Sequence, residues 1–68
     1  MKREALLRAL RRYARSHGVA FDLNPARGKG AHYRVRLADR ITTVQSGELS
    51  RFHVERICKQ LGIDPDEL

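Results

Sequence analysis

The feature that most restricts the fold is a strict alternation of side-chain character over residues 32–37, directly after a glycine-rich segment. The odd positions of this range are apolar, and the even positions hold His32, Arg34 and Arg36. Successive side chains of a β-strand point to opposite faces of the sheet. The alternation therefore predicts a strand with one buried face and one open face, and the open face would carry an imidazole followed by two guanidinium groups.

The segment before this strand is predicted to be a loop over residues 25–31. Asn24 and Pro25 form a pair that initiates turns, and two glycines follow on either side of Lys29. Glycine adopts left-handed backbone angles at little steric cost, so a turn is expected here. Arg27 and Lys29 would bring two more cations to the end of the strand, beside Gly30.

A helix is predicted at each end of the chain, over residues 2–16 and 51–61. Both segments repeat apolar or aromatic residues at the helical spacing: Leu6, Leu10 and Tyr13, with His17 one turn later, in the first, and Val54, Ile57, Cys58 and Leu61 in the second. Gly18 and Gly62 are placed as C-terminal caps, and Ser50 as the N-cap of the second helix.

Two further strands are expected between the helices, over residues 19–24 and 40–44. The first alternates between apolar and polar residues, and the second is rich in β-branched residues. The two-residue connection Ala38-Asp39 lacks glycine, so it is a weak hairpin signal. The predicted fold is α+β, a two-layer sandwich in the order helix, three antiparallel strands, helix, with residues 1–68 as a single domain.

The charge distribution favours a polyanionic partner. The 68 residues carry a net charge of +6, and the excess is concentrated in residues 1–40, which hold eleven Lys and Arg against three Asp and Glu. Residues 41–68 hold three against five. A basic region of this kind is typical of proteins that bind nucleic acids, although a basic surface can also serve solubility alone. The arginines of the first helix have the same two interpretations, a solvated face or a second contact surface.

Several functional classes are disfavoured by the remaining composition. The single cysteine excludes an internal disulfide and suits a reducing, cytoplasmic setting. No apolar run approaches the roughly 20 residues that a membrane span needs, so neither a membrane segment nor a targeting segment is expected. The three histidines fall on three different elements, so neither a metal site nor any other cofactor is predicted.

The even-numbered face of the central strand suits the cleavage of RNA. A ribonuclease that works without a metal needs a base to deprotonate a ribose 2′-OH and cations near the phosphate. Imidazole has an ordinary pKa of about 6.5 and can act as a neutral base at cell pH. His32 is therefore the candidate catalytic residue, and Arg27, Lys29, Gly30, Arg34 and Arg36 are the candidate RNA-binding residues.

Other interpretations of His32 stay open at this point. The histidine could contact phosphate without catalysing a reaction, in which case the chain would be a non-catalytic RNA- or DNA-binding module. The basic surface could instead bind an acidic protein. His53, in the first turn of the second helix, is interpreted as a surface residue or a partner contact, so no second histidine is expected beside His32.

Three segments together resemble the HicA-type toxins of bacterial toxin–antitoxin pairs. They are GKGAHYRVRL, then RITTV, then a helix that ends in CKQLGI. The family pattern of a glycine, a small residue and a histidine at the start of the second strand is matched by Gly30, Ala31 and His32. The C-terminal part of the pattern is matched by residues 59–63. Ala31 stands where the family usually has serine.

This resemblance implies a fold similar to that of double-stranded-RNA-binding domains. It also implies cleavage of messenger RNA with His32 as the catalytic residue, growth arrest, and neutralisation by a cognate HicB-type antitoxin. The site residues, RNA and the antitoxin as partners, and the endoribonuclease activity are expectations for the structure and for experiment.

Overall fold

The computed structural model describes residues 1–24 and 32–68. Five elements follow one another along the chain, and they have the predicted order: α1 (Arg3–His17), β1 (Phe21–Asn24), β2 (Tyr33–Leu37), β3 (Arg40–Val44) and α2 (Arg51–Leu61). The predicted α+β class is confirmed. The observed bounds of β3 and α2 agree with the predicted bounds. The residues that mark these bounds, such as the caps Ser50 and Gly62 of α2, act on the neighbouring backbone and can be recognised in the local sequence.

The three strands form an antiparallel sheet in the order β1-β2-β3, so β2 is central. Val35 is paired with Leu23 on one side and with Thr42 on the other, and Arg34 is paired with Asn24 and Thr43. Directly paired residues of an antiparallel sheet lie on the same face. The register therefore separates a core face around Val35 from an open face around Arg34.

The core lies between the helices and one face of the sheet. Its members are the buried apolar residues Leu6, Leu7, Leu10, Ala14, Val35, Leu37, Val44, Leu49, Ile57, Cys58, Leu61 and Ile63. Both strand residues predicted to face the core at positions 35 and 37 are buried. Tyr33 is half-buried and packs against the core, with the guanidinium carbon of Arg3 3.7 Å from its ring centroid.

Both helices end in the predicted left-handed glycine. Gly18 has φ 65° and Gly62 has φ 75°, and the amide nitrogens that follow them bond back into the last helical turn. The N-terminus of α2 is capped by Ser50, whose Oγ accepts a hydrogen bond from the backbone N–H of His53 at 3.2 Å. These caps fix the ends of the helices that flank the sheet.

Three predicted bounds differ from the structure: α1 spans Arg3–His17 and not residues 2–16, β2 begins one residue later than predicted, and the start of β1 also moves. β1 begins at Phe21, not at residue 19, because the Val19 N–H donates to the Ala14 carbonyl at 3.0 Å and so belongs to the cap of α1. Val19 is accordingly exposed. Beyond Gly62 the chain forms a 3-10 turn over Pro65–Glu67, and Leu68 packs against the core.

Candidate functional site

His32 is exposed and lies immediately before β2. The predicted strand started at His32, whereas the observed strand starts one residue later, at Tyr33. The imidazole is therefore accessible to a ligand, which a buried ring would not be. Arg34 lies two residues after His32 and is the first exposed residue of β2.

Arg34 and Arg36 are both exposed on the open face, as the alternation predicted, but their surroundings differ. Arg36 is paired with Asp22 across the sheet, and its Nε donates to the Ala38 carbonyl at 3.0 Å. Arg34 is paired with Asn24 and Thr43, neither of which carries a charge. Arg34 is consequently the cation of β2 that is more available to a phosphate.

A groove of about 220 Å³ places His32 beside the second helix. It is lined by residues from the start of β2, the end of β3, the segment after β3, and one face of α2: His32, Thr43, Gln45, Leu49, His53, Arg56, Ile57 and Gln60. No Asp or Glu is among these described lining residues. The described lining therefore carries two imidazoles and one guanidinium group and no carboxylate.

His53 is half-buried in this groove, and Ser50 holds its ring. The Ser50 N–H donates to His53 Nδ1 at 3.4 Å, and the Ser50 Oγ lies 3.0 Å from the same nitrogen. Since Nδ1 is engaged by Ser50, Nε2 is the ring nitrogen that is left for a ligand. The expectation that no second histidine lies beside His32 was wrong, because α2 places His53 on the same groove.

Gln60 contributes a donor to the groove. Its Oε1 accepts a hydrogen bond from the buried Thr42 Oγ1, so the amide nitrogen, which can only donate, is the remaining polar group of that side chain. Arg56 adds a guanidinium from the same helical face. Hydrogen-bond donors and a guanidinium group on one cleft suit an anion such as a phosphodiester.

Sequence reasoning missed His53, Arg56 and Gln60. They recur at i, i+3 and i+7 in α2, so their common helical face was visible in the sequence. The face that meets His32 depends on how α2 packs against β3, which no local pattern specifies. Three of the predicted RNA-binding residues, Arg27, Lys29 and Gly30, lie outside the described residues.

The arginines of α1 form a second basic surface, and all of the four predicted members are exposed: Arg8, Arg11, Arg12 and Arg15. The guanidinium carbon of Arg11 lies 5.4 Å from the ring centroid of Phe21. His17 is also on α1, where it stacks on Tyr13 with 4.0 Å between ring centroids, and its Nε2 lies 3.9 Å from Glu67 Oε2. His17 therefore has a local environment of its own and does not line the groove of His32.

A metal site, a membrane-spanning helix and a reactive thiol are three further features that residues 1–24 and 32–68 could have contained. No cluster of three or more His, Cys, Asp or Glu in these ranges could hold a metal ion. Within the same ranges, no helix has the length and apolar character needed to cross a bilayer. Cys58 is buried in the core, and this burial raises the pKa of its thiol, as the nearby Asp64 carboxylate also does to a smaller extent. A thiol in this state is a poor nucleophile.

Comparison of the chain with known proteins finds no matching family model, no similar curated protein and no similar solved structure.

Proposed function

We propose that this protein is an endoribonuclease that cleaves RNA without a metal ion, with His32 as the general base. The observation that carries the proposal is an exposed imidazole at the start of a basic strand, on a groove whose described lining includes a guanidinium and hydrogen-bond donors but no carboxylate. This arrangement combines a base with an anion-binding surface, which are the two requirements of 2′-OH-dependent cleavage.

In the proposed reaction, His32 removes the proton of a ribose 2′-OH, and the 2′-oxygen attacks the adjacent phosphorus. The bond from phosphorus to the 5′-oxygen breaks, which leaves a 2′,3′-cyclic phosphate and a 5′-hydroxyl. Arg56 and Arg34 bind the phosphate and offset the negative charge that develops on it. A positioned general base contributes about 10²–10⁴ to the rate.

The test is incubation of a single-stranded RNA with the protein in EDTA, followed by analysis of the new ends. The wild-type protein should produce 5′-hydroxyl ends, and DNA of the same sequence, which lacks the 2′-OH, should stay intact. His32→Ala should lower the rate by about 10²–10⁴. His17→Ala is the matched control, because it removes an exposed histidine that lies away from the groove.

Two results would contradict the proposal. Intact RNA with the wild-type protein would exclude the activity under these conditions, and equal cleavage by His32→Ala would exclude the assigned base. Circular dichroism spectra and thermal midpoints of both variants show whether a loss of cleavage comes from a loss of fold.

A non-catalytic nucleic-acid-binding module is the second candidate. It is favoured by the exposed arginines of β2 and α1, which could bind the phosphate backbone without any reaction. Binding that falls steeply with salt is expected of both candidates. RNA that is bound and recovered without new ends would favour this second function.

The resemblance to HicA-type toxins extends the proposal to the cell. On this basis the substrate is messenger RNA, the site of action is the cytoplasm, and a HicB-type antitoxin silences the protein by covering His32 and the surrounding cations. An acidic antitoxin surface would complement the groove. Co-expression of the adjacent gene should restore growth, and a complex that leaves His32 accessible would contradict inhibition by direct masking.

A further inference from the structure

We infer that His53 is a second catalytic residue, the general acid that protonates the leaving 5′-oxygen. This inference depends on the proposed function, since it assigns the second proton transfer of the same reaction. It starts from the observation that His32 and His53, which are 21 positions apart in the sequence, line one groove. Cleavage needs two proton transfers, and a base alone supplies one of them.

The volume of the groove fits the reacting part of a nucleic acid. At about 220 Å³ it is smaller than the roughly 300–1,000 Å³ of pockets that enclose whole drug-sized ligands. It therefore suits a backbone phosphate and its flanking ribose oxygens, with the bases outside. His32 lies at the strand side of this groove, and His53 lies at the helix side.

The hydrogen bonds of His53 determine which nitrogen can give up a proton. In the neutral ring with its proton on Nε2, Nδ1 accepts from the Ser50 N–H at 3.4 Å. In the imidazolium Nδ1 carries a proton and can no longer accept that bond; it donates instead to the Ser50 Oγ at 3.0 Å, and Nε2 keeps the proton available for transfer. The Ser50 Oγ already accepts from the His53 backbone N–H at 3.2 Å, and a hydroxyl oxygen has two lone pairs. Ser50 thereby anchors both the backbone and the ring of His53.

His32 and His53 together account for both proton transfers of the reaction. His32 accepts the 2′-OH proton as the O2′–P bond forms, and His53 releases its Nε2 proton to the 5′-oxygen as the P–O5′ bond breaks. His53 is left as a neutral ring with its proton on Nδ1, bonded to Ser50. The guanidinium of Arg56 and the amide N–H₂ of Gln60 lie on the same helical face of the groove, and in the proposed complex they donate to the phosphate oxygens.

The substitution that isolates this role is His53→Gln. Ser followed three residues later by Gln is a standard capping box, in which the Gln side chain accepts from the N-cap N–H. His53→Gln thus preserves the cap of α2 and removes the proton transfer. His53→Ala is the second variant, and it provides a test should the glutamine variant be unstable.

The assay uses two oligonucleotides that carry one ribonucleotide each, at the bond where the wild-type protein cuts a longer RNA. One has the normal 5′-oxygen as leaving atom, and the other has sulfur in its place. A thiolate leaves without protonation. We expect His53→Gln to cleave the oxygen substrate about 10²–10⁴-fold more slowly than wild type and to regain most of that loss on the sulfur substrate. His32→Ala should be defective on both.

The outcomes separate the inference from the proposed function. If the wild-type protein cuts no RNA, both the proposed function and the assignment of His53 are refuted. Wild-type cleavage with an equally active His53→Gln overturns the assignment of the acid and leaves His32 as the base. A His53→Gln variant that is folded and defective but is not rescued by sulfur also overturns it, because His53 would then act on the phosphate or on binding.

Discussion

Ala38 has a positive φ of 57° in the connection between β2 and β3, and it is the one non-glycine residue with such a value among the described residues. A side chain in this left-handed region costs about 1–2 kcal/mol. Ala38→Gly removes that strain. The greater conformational entropy of glycine in the unfolded chain offsets about 0.4–1 kcal/mol of the resulting gain in stability. Because Ala38 is exposed, the loss of its methyl group removes little buried area.

We therefore expect Ala38→Gly to raise the free energy of unfolding by about 1 kcal/mol, within a range of about 0–1.6 kcal/mol. In a domain of this size, 1 kcal/mol corresponds to a shift of about 4–8 °C in the thermal midpoint. The measurement is urea unfolding followed by circular dichroism, with the m-value compared between wild type and variant.

Gly18→Ala is the matched inverse. Gly18 has φ 65°, and a Cβ built there meets no atom within 4 Å, so the substitution changes the backbone energy and creates no clash. It should lower stability by about the amount that Ala38→Gly raises it. A destabilised Ala38→Gly, or a neutral Gly18→Ala, would refute the assignment of strain to the left-handed backbone.

Two further predictions concern the open face and the core. Arg34→Ala should weaken RNA binding more than Arg36→Ala does, because the Arg36 Nε already donates to the Ala38 carbonyl and the Asp22 position lies opposite Arg36 in the sheet register. Arg34→Ala should also reduce the slope of log K against log salt by about 1, and equal losses in a filter-binding titration would contradict this. Burial raises the pKa of the Cys58 thiol, so the stability that comes from its bound proton is complete below its ordinary pKa of 9.0 and is lost as the pH rises through the folded value. The decline of stability between pH 8 and pH 11 should therefore be smaller in Cys58→Ala than in wild type, and identical declines in urea titrations would count against this role of burial.

The elements of this fold could be predicted because their signals are local. The alternation in residues 33–37 assigned Arg34 and Arg36 to the open face, since the period of a strand is set by its own backbone. Ser50 and Gly62 marked the start and end of α2 for the same reason. The prediction was wrong at Val19, which lies between two elements. The alternation of residues 19–24 suggested that Val19 belongs to β1, but its N–H donates to the Ala14 carbonyl and caps α1.

The order of the elements, the basic face of β2 and the accessible position of His32 could be predicted from the sequence, because each depends on residues a few positions apart. Which face of α2 lies beside His32 depends instead on how the helix packs. That choice follows from burying Ile57, Cys58 and Leu61 against the sheet, and it brings His53 and Arg56 to the groove. Burial in the core is a property of the whole packed chain, so the second imidazole of the proposed site could be recognised only after the chain was folded.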